Sequence, residues 1–535
     1  MAEGYELVIK GGKVLDGTSS PWFKRDIGIA NGKIKSVSPV LGEGGRVIDA
    51  TGLVVAPGFI DLHNHADHGI LAFPDATNYL MQGVTTSVTG NCGLSLAPVN
   101  PVNLELLKTY LSPFIKKGVD YGWDWQSLDE FYQKVESQGT AMNLAPLVGQ
   151  GTIRLAVMGF RSDSPTREEM NKMKELLTRA LDNGAFGMST GLIYPPGSYS
   201  STEELIELAS LLTDYGAIYT THIRNEGDNL IESVDEAIRI AEENNISLEI
   251  SHHKAAGMNN FGKVNGALKA MAEARQRGVE VNCDVYPYIA GSSTITSALP
   301  NWVLEGGIND MLERLRNKET RKAIESEISE DRMSSTNRIK SSDWRGIQIA
   351  DCPQHPEYEG KSLEQIFEEK GSMDSPYQAF FDWLLETEAD ATVVMFSLDE
   401  DDVRTVIANP LSSIISDGWV TSPDAGGKPH PRSYGTFPRV LGRYVREEKL
   451  LTLEQAVRKM TAMPAAKIGL KERGIIREGF YADLVVFNPD IIKDRATFTE
   501  PHQYADGIQY VLVNGQLVVD KGKPTGARPG QILQP

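Results

Sequence analysis

Residues 54–65 read VVAPGFIDLHNH, an apolar run that ends in two histidines separated by one residue. The apolar residues predict a buried strand, and its end is expected to point into a cavity. In an extended chain residues i and i+2 point to the same side, so His63 and His65 can face one metal ion. A polar strand end with exposed histidines is the alternative, and the apolar run before the histidines favours the metal site.

Seven more short apolar segments follow in the middle of the chain, with amphipathic helix-like stretches between them. They are VTTSVTG (84–90), NLAPLVG (143–149), AFGMSTG (185–191), AIYTTH (217–222), SLEISH (247–252), VNCDVYPY (281–288) and SSIISD (412–417). Eight strands that alternate with helices are typical of an α/β protein built as a (β/α)8 TIM barrel. The chain has 535 residues, too many for one core of ordinary size, so a second packed unit is expected.

Both ends of the chain predict β structure. DIGIANGKIKSV (26–37) and YVLVNGQLVV (510–519) alternate apolar and polar residues around Asn-Gly, the pair that favours a two-residue hairpin turn. We therefore predict a small β-sandwich formed by residues 1–56 and 468–535, with a metal-dependent barrel over residues 57–467 between them.

The interval between the last two predicted strands is much longer than the others. It runs from Tyr286 to Asp417, whereas a βαβ unit needs only about 30 residues. We predict an insertion at about residues 290–400 that lies over the barrel mouth. Its length makes it a candidate lid.

Composition limits the classes of partner and the location. The chain carries a net charge of -19 at pH 7, which disfavours nucleic acid and anionic membranes as partners. It has three cysteines, too few for a disulfide framework, and shows neither a signal-peptide pattern nor an apolar run long enough to span a membrane. We expect a cytoplasmic protein that acts on a small molecule, and homo-oligomer formation stays open.

Side chains that bind metals occupy the ends of the predicted strands. Cys92 follows the second strand, His222 and His252 end the fifth and sixth, and Asp417 ends the eighth. Because strand ends converge on one face of a barrel, these residues and the histidines of the first strand are expected to meet there. A buried apolar cysteine, solvated histidines and a turn aspartate are the alternatives, but so many ligands at successive strand ends are hard to explain by packing.

Other polar side chains near these ends can contact a substrate. Arg224 and Lys254 each stand two residues after a candidate histidine ligand, and either cation suits a substrate carboxylate. Tyr194, Tyr286 and Tyr288 lie at glycine- and proline-rich turns, where they either line a pocket or serve packing.

Several of these stretches resemble a known family. PGFIDLHNH (57–65) is similar to the first-strand signature of the amidohydrolase superfamily, a TIM barrel with a flanking β-sandwich. The stretches that resemble its N-acyl-D-amino-acid deacylase (D-aminoacylase) branch are QGVTTSVTGNCGLSLAP (82–98), STGLIYPPG (189–197), HIRNEG (222–227), SHHKA (251–255), DVYPYIAGS (284–292), SDGW (416–419), HPRSYGTFPRVLGRY (430–444) and GFYADLVVF (479–487).

The resemblance implies a set of site residues. One metal position would be formed by His63, His65 and Asp417, and the other, tighter one by Cys92, His222 and His252. Many amidohydrolases bridge two metals with a carboxylated lysine, but residues 185–197 contain no lysine, and Cys92 takes its place. The expected cofactor is Zn²⁺, with one ion bound tightly and occupancy of the second position left open. The substrate-binding residues implied by the resemblance are Tyr194, Lys254, Tyr286, Ser292 and Arg432.

The resemblance also implies a reaction, the hydrolysis of N-acyl-D-amino acids to a carboxylate and a free D-amino acid. Zinc lowers the pKa of bound water to about 7, and the resulting hydroxide attacks the amide carbonyl. Asp417 is expected to act as general base and then as general acid. A related cyclic amidase or dipeptidase is the alternative enzyme, and a metal-free scaffold for protein assembly is the alternative of another class, which the complete ligand set disfavours.

Overall fold

The computed structural model describes residues 4–42, 44–116 and 118–535 of the chain. Its strands fall into an N-terminal, a central and a C-terminal group. The N-terminal strands are β1 (Leu7–Lys10), β2 (Lys13–Val14), β3 (Phe23–Lys24), β4 (Asp26–Ala30), β5 (Lys33–Ser38), β6 (Arg46–Asp49) and β7 (Val54–Pro57). The central strands are β8 (Phe59–Asp61), β9 (Val84–Thr89), β10 (Asn143–Pro146), β11 (Val148–Gly149), β12 (Gly187–Gly191), β13 (Ile218–His222), β14 (Leu248–Ile250), β15 (Val281–Val285), β16 (Ala290–Thr294), β17 (Ile347–Asp351), β18 (Thr392–Phe396) and β19 (Ser412–Ile414). The C-terminal strands are β20 (Leu484–Phe487), β21 (Ile508–Val513), β22 (Gln516–Asp520) and β23 (Lys523–Pro524).

The two chain ends build two sheets. One has the strand order β5-β4-β1-β6, and the other joins both ends in the order β23-β22-β21-β20-β7-β2-β3. Both Asn-Gly pairs form hairpin turns as predicted, because Asn31 and Asn514 have φ of 53° and 48°, in the left-handed region that this turn needs. Ile9, Val55 and Leu484 belong to one buried cluster shared by both ends. Residues 1–3 and 43 of the predicted sandwich lie outside the described residues.

All eight predicted central strands are present, and they run parallel to their neighbours. β8, β9 and β10 form one array, and β11 to β15 with β19 form a second. β10 and β11 are two halves of one predicted strand, interrupted at Leu147. The Asp417 N–H bonds to the His63 carbonyl at 2.9 Å, so the chain after β19 lies beside the chain after β8. The central part is therefore an α/β unit in which the first and last parallel strands end side by side.

Helices connect these strands. Before the long insertion they are α1 (Ala66–Ile70), α2 (Thr77–Leu80), α3 (Leu104–Leu111), α4 (Leu128–Gln138), α5 (Gln150–Met158), α6 (Arg167–Asp182), α7 (Thr202–Ala209), α8 (Leu212–Tyr215), α9 (Leu230–Asn244) and α10 (Val264–Gln276). α6 begins at a capping box in which Thr166 and Glu169 exchange backbone and side-chain hydrogen bonds. α9 buries Val234, Ile238 and Ala241 at helical spacing.

The remaining helices lie in the insertion and after it. They are α11 (Ile308–Arg316), α12 (Lys318–Ser329), α13 (Arg338–Gly346), α14 (Leu363–Glu369), α15 (Pro376–Glu386), α16 (Glu400–Ala408), α17 (Arg432–Arg439), α18 (Leu453–Met460) and α19 (Ala462–Lys467). Within the part of the chain that the structure describes, no helix combines the length and the apolar character needed to cross a bilayer.

The predicted insertion forms a unit with its own core. β16, β17 and β18 make an antiparallel sheet in the order β16-β18-β17, and α11 to α15 lie in the same segment. Trp344, Phe380 and Trp383 belong to a buried cluster separate from that of the parallel strands. Two residues of this unit, Ser292 and Arg338, line a cavity at the ends of the parallel strands. The insertion therefore contributes directly to the candidate site.

Candidate metal centre

The ends of the parallel strands bring six potential metal ligands together, all of them buried: His63, His65, Cys92, His222, His252 and Asp417. Cys92 lies between the two predicted ligand sets. Its Sγ is 3.3 Å from His63 Nε2, 3.6 Å from His222 Nδ1 and 3.5 Å from His252 Nε2. Each predicted set is thus brought together, with one difference: Cys92 is close enough to belong to both.

The other side of the cluster is arranged around Asp417. Its Oδ1 lies 3.2 Å from His65 Nε2 and 3.6 Å from His63 Nε2. Its Oδ2 lies 2.7 Å from Arg432 Nη1. One carboxylate oxygen therefore faces the imidazoles, and the other is held by a guanidinium.

The backbone at three of the ligands is unusual. Cys92, His252 and Asp417 have φ of 53°, 36° and 50°, a region that residues with a side chain rarely adopt. Residues held in such conformations cluster at functional sites, because the surrounding structure must hold them there. Next to Cys92, a Cβ added to Gly90 would lie 2.2 Å from a neighbouring backbone oxygen, so the close approach at GNCG requires glycine.

Burial sets the protonation of the cluster. It lowers the pKa of both His63 and His222 to about 4, so these imidazoles are neutral near pH 7 and can coordinate a cation. It raises the pKa of the Cys92 thiol well above its usual value, so a bound cation has to displace a proton. Burial also opposes ionisation of Asp417, but Arg432 holds the pKa of that carboxyl well below its usual range.

Two buried carboxylates behind the ligands were missing from the sequence prediction. Glu226 lies 3.1 Å from His252 Nδ1 and 3.6 Å from His222 Nε2. Asp284 lies 3.7 Å from His63 Nδ1 and accepts a hydrogen bond from the His252 N–H. Carboxylates in such positions orient ligand imidazoles. Both residues stand in motifs already singled out, HIRNEG and DVYPY. Asp284 lies near the end of β15, which was an available signal, whereas Glu226 lies in the loop after β13.

Four of the predicted substrate-binding side chains line the cavity beside the ligands: Tyr194, Lys254, Tyr286 and Ser292. Lys254 Nζ lies 2.5 Å from Glu226 Oε1 and 5.5 Å from the centre of the Tyr286 ring. The cavity therefore places a largely buried cation, a phenol and a hydroxyl next to the potential ligands.

Two arginines predicted to reach a substrate carboxylate pair with carboxylates of the protein. Arg224 pairs with Glu236 at 2.9 Å, because β13 ends at His222 and the alternation of a strand does not continue to residue 224. Arg432 is 1% exposed and is absent from the cavity wall formed by the described residues. It pairs with Asp417, and its guanidinium also lies 4.8 Å from the ring centre of Tyr286, which lines the cavity. Substrate binding by Arg432 stays a prediction.

Three more side chains of the cavity wall were not singled out from the sequence. Trp419 stacks on His65 with ring centres 5.5 Å apart, and Phe114 stacks on Trp419 at 6.1 Å. Arg338 reaches the cavity from the insertion, and its Nη2 lies 3.1 Å from Glu226. Trp419 belongs to the SDGW motif in the loop after β19, whereas the other two come from segments without a strand-end signal.

Comparison with known proteins identifies the family. Residues 46–519 match the model of the amidohydrolase family. The chain belongs to this family. The chain is similar to a D-aminoacylase of Alcaligenes xylosoxydans xylosoxydans, with 35% identity over 537 residues that cover 99% of this chain and 98% of that protein. An N-acyl-D-aspartate deacylase of the same organism is 36% identical over 539 residues, covering 99% and 95%.

A solved structure extends the similarity to three dimensions. It is an N-acyl-D-glutamate deacylase from Bordetella bronchiseptica, complexed with zinc and a phosphonate inhibitor that mimics the tetrahedral intermediate of its reaction. It is 34% identical to this amidohydrolase, covers 100% of both chains and has a TM-score of 0.82. These similarities confirm the family resemblance predicted from the sequence motifs.

Proposed function

We propose that the protein is a zinc-dependent amidohydrolase that cleaves N-acyl-D-amino acids to a carboxylate and a free D-amino acid. The observation that carries this proposal is the buried cluster, in which the donor atoms of each potential ligand group lie within 4.8 Å of one another. The D-aminoacylase and the two acidic-substrate deacylases similar to this chain support the substrate class. A cyclic amidase or dipeptidase is the alternative.

The donor set fits zinc. Thiolate and imidazole are common zinc ligands, and tetrahedral bonds of about 2.0–2.3 Å place donor atoms about 3.3–3.8 Å apart. The separations of 3.3, 3.6 and 3.5 Å around the Cys92 Sγ match this spacing. The tight position would be held by Cys92, His222 and His252, and a second position by His63, His65 and Asp417 with Cys92. Occupancy of the second position stays a prediction.

The metal and the side chains around it would have separate roles in the reaction. Bound zinc supplies a Lewis acid and a water molecule acidic enough to ionise near neutral pH. Asp417 would accept a proton at Oδ1, which faces the imidazoles, and return it to the leaving amine. Arg432 keeps that oxygen in place by holding Oδ2. Lys254 and Tyr286 would bind the carboxylate of the substrate, since they line the cavity beside the ligands.

We further propose that the eight parallel strands close into a (β/α)8 barrel over residues 57–467, flanked by a β-sandwich of residues 1–56 and 468–535. The contact between the ends of the first and last strands and the core shared by the two chain ends support this division. The insertion as a lid, the cytoplasmic location and homo-oligomer formation stay predictions. The net charge of -19 supports a small-molecule substrate over nucleic acid or an anionic membrane.

The test is hydrolysis of paired N-acetyl-D- and N-acetyl-L-amino acids by zinc-loaded protein. We expect strong preference for the D form, and a loss of about 100-fold or more in Asp417→Asn and Cys92→Ala. Cys352→Ala is the matched control, because this buried cysteine belongs to the core of the insertion. No hydrolysis of either enantiomer would contradict the proposal, and hydantoin and dipeptide substrates then test the alternatives.

A further inference from the structure

Arg338 is a charged side chain that the insertion contributes to the cavity. It is the first residue of α13, is 6% exposed and lines the same cavity as Cys92 and His252. Its Nη2 donates to Glu226 Oε2 at 3.1 Å, while its buried Nε has no hydrogen-bond partner among the described residues. An unsatisfied buried donor is unfavourable, so the guanidinium is suited to a partner that enters the cavity.

The charges around Arg338 also leave room for an anion. Glu226 is shared, because its Oε1 lies 2.5 Å from Lys254 Nζ while its Oε2 faces Arg338. One carboxylate therefore serves two cations on this side of the cavity. Asp417 does not supply the missing negative charge, since Arg432 already pairs with it at 2.7 Å. On the side of the cavity that Arg338 lines, two cations thus share the single carboxylate of Glu226.

We propose that Arg338 binds a second carboxylate of the substrate, carried by its side chain, so that the preferred substrates are N-acyl derivatives of acidic D-amino acids. This inference rests on the proposed deacylase function, in which Lys254 and Tyr286 hold the α-carboxylate. A guanidinium can form two parallel hydrogen bonds with a carboxylate, which gives both charge and direction to the recognition. Ser397 lines the same cavity and adds a hydroxyl that can donate to the anion.

The experiment compares kcat/KM for N-acetyl-D-glutamate, N-acetyl-D-aspartate and N-acetyl-D-methionine. Zinc-loaded wild type is expected to prefer the acidic substrates, and Arg338→Gln to lower the acidic-to-neutral ratio by about 100-fold. Arg338→Lys keeps the positive charge but loses the planar guanidinium that can form two parallel hydrogen bonds, so it is expected to retain part of the preference for acidic substrates. The matched control is Arg332→Gln, because Arg332 lies in the same insertion with its side chain 57% exposed.

The outcomes separate this inference from the proposed function. Preference of wild type for the neutral D-substrate would overturn the inference and leave the deacylase standing, whereas no hydrolysis of any N-acyl-D-amino acid would overturn both. Equal losses for all substrates in Arg338→Gln would assign Arg338 to the α-carboxylate or to the positioning of Glu226, against the proposal. Faster hydrolysis of N-succinyl-D-methionine than of N-acetyl-D-glutamate would overturn the side-chain assignment. If Arg338→Gln does not fold, the acidic-to-neutral ratio of kcat/KM is measured in Arg338→Lys instead, and an unchanged ratio there would contradict the proposal.

Discussion

Removing the charge of Glu226 tests the candidate metal centre most directly. Glu226 is 2% exposed and lies 2.5 Å from Lys254 and 3.1 Å from each of His252 and Arg338. Burial opposes its ionisation, but Lys254 and His222 hold the pKa of this carboxyl well below its usual range. Glu226→Gln keeps the shape of the side chain, removes the negative charge and places an amide donor among groups that are donors themselves.

The size of the effect follows from these contacts. Breaking a buried ion pair on one side costs about 3–5 kcal/mol, and two buried cations lose their partner in Glu226→Gln. Loss of a carboxylate that orients ligand imidazoles lowers metal affinity by about 10- to 100-fold. We therefore expect a drop of about 3 kcal/mol or more in the free energy of unfolding and a zinc dissociation constant at least about tenfold higher.

Two assays measure these quantities separately. Denaturant unfolding of the metal-free protein reports stability, and competition with a chromophoric chelator reports zinc affinity. Glu236→Gln is the control, because Glu236 pairs with Arg224 outside the cavity and is more exposed than Glu226, so a smaller loss of stability and an unchanged zinc affinity are expected. If Glu226→Gln matched this control in both assays, Glu226 would not be the charge that organises the site.

Two further predictions concern stability away from the metal centre. Hydrogen bonds from Thr166 lower the pKa of Glu169 to about 2 from 4.5, so its charge stabilises the start of α6 above pH 4.5 and loses this effect as pH falls toward 2. The difference in unfolding midpoint between wild type and Glu169→Gln is therefore expected to shrink as pH is lowered from about 5 to about 3; a constant difference would contradict the assignment. Trp383→Ala removes a side chain that is 1% exposed in the core of the insertion, and a cost of about 3–5 kcal/mol is expected in denaturant unfolding. The exposed Trp22 provides the control Trp22→Ala, and similar losses in both variants would contradict the burial argument.

The apolar runs in the sequence located most of the potential metal ligands, because the end of such a run marks the end of a strand. Apolar runs that stop at His222, His252 and Asp417 mark where each strand delivers a side chain to the common face. The same rule failed for Arg224, since it was extended beyond the end of β13. The alternation of a strand does not by itself fix side-chain direction in the loop that follows: His63 and His65, just after β8, both face the cluster, whereas Arg224, just after β13, does not.

Contacts between distant segments could not be predicted in this way. Arg338 meets Glu226 across 112 positions of sequence, and the segment around Arg338 shows neither a strand end nor a metal-binding pattern. Arg432 was expected at the substrate, and its ion pair with Asp417 was not predicted, because it depends on which side chains become neighbours after packing. Pair contacts of this kind arise from the three-dimensional arrangement of the insertion and the strand ends.

The pairing of β7 with β20 has a consequence for how the chain is made. β7 ends at Pro57, whereas its partner β20 spans Leu484–Phe487, so this edge of β7 stays unpaired until the long segment between the two strands has been synthesised. Domains generally fold as units during synthesis, and unpaired strand edges are prone to aggregate. The parallel strands and the insertion can therefore fold on the ribosome first, and the sheet that contains β7 is completed only once β20 has been synthesised.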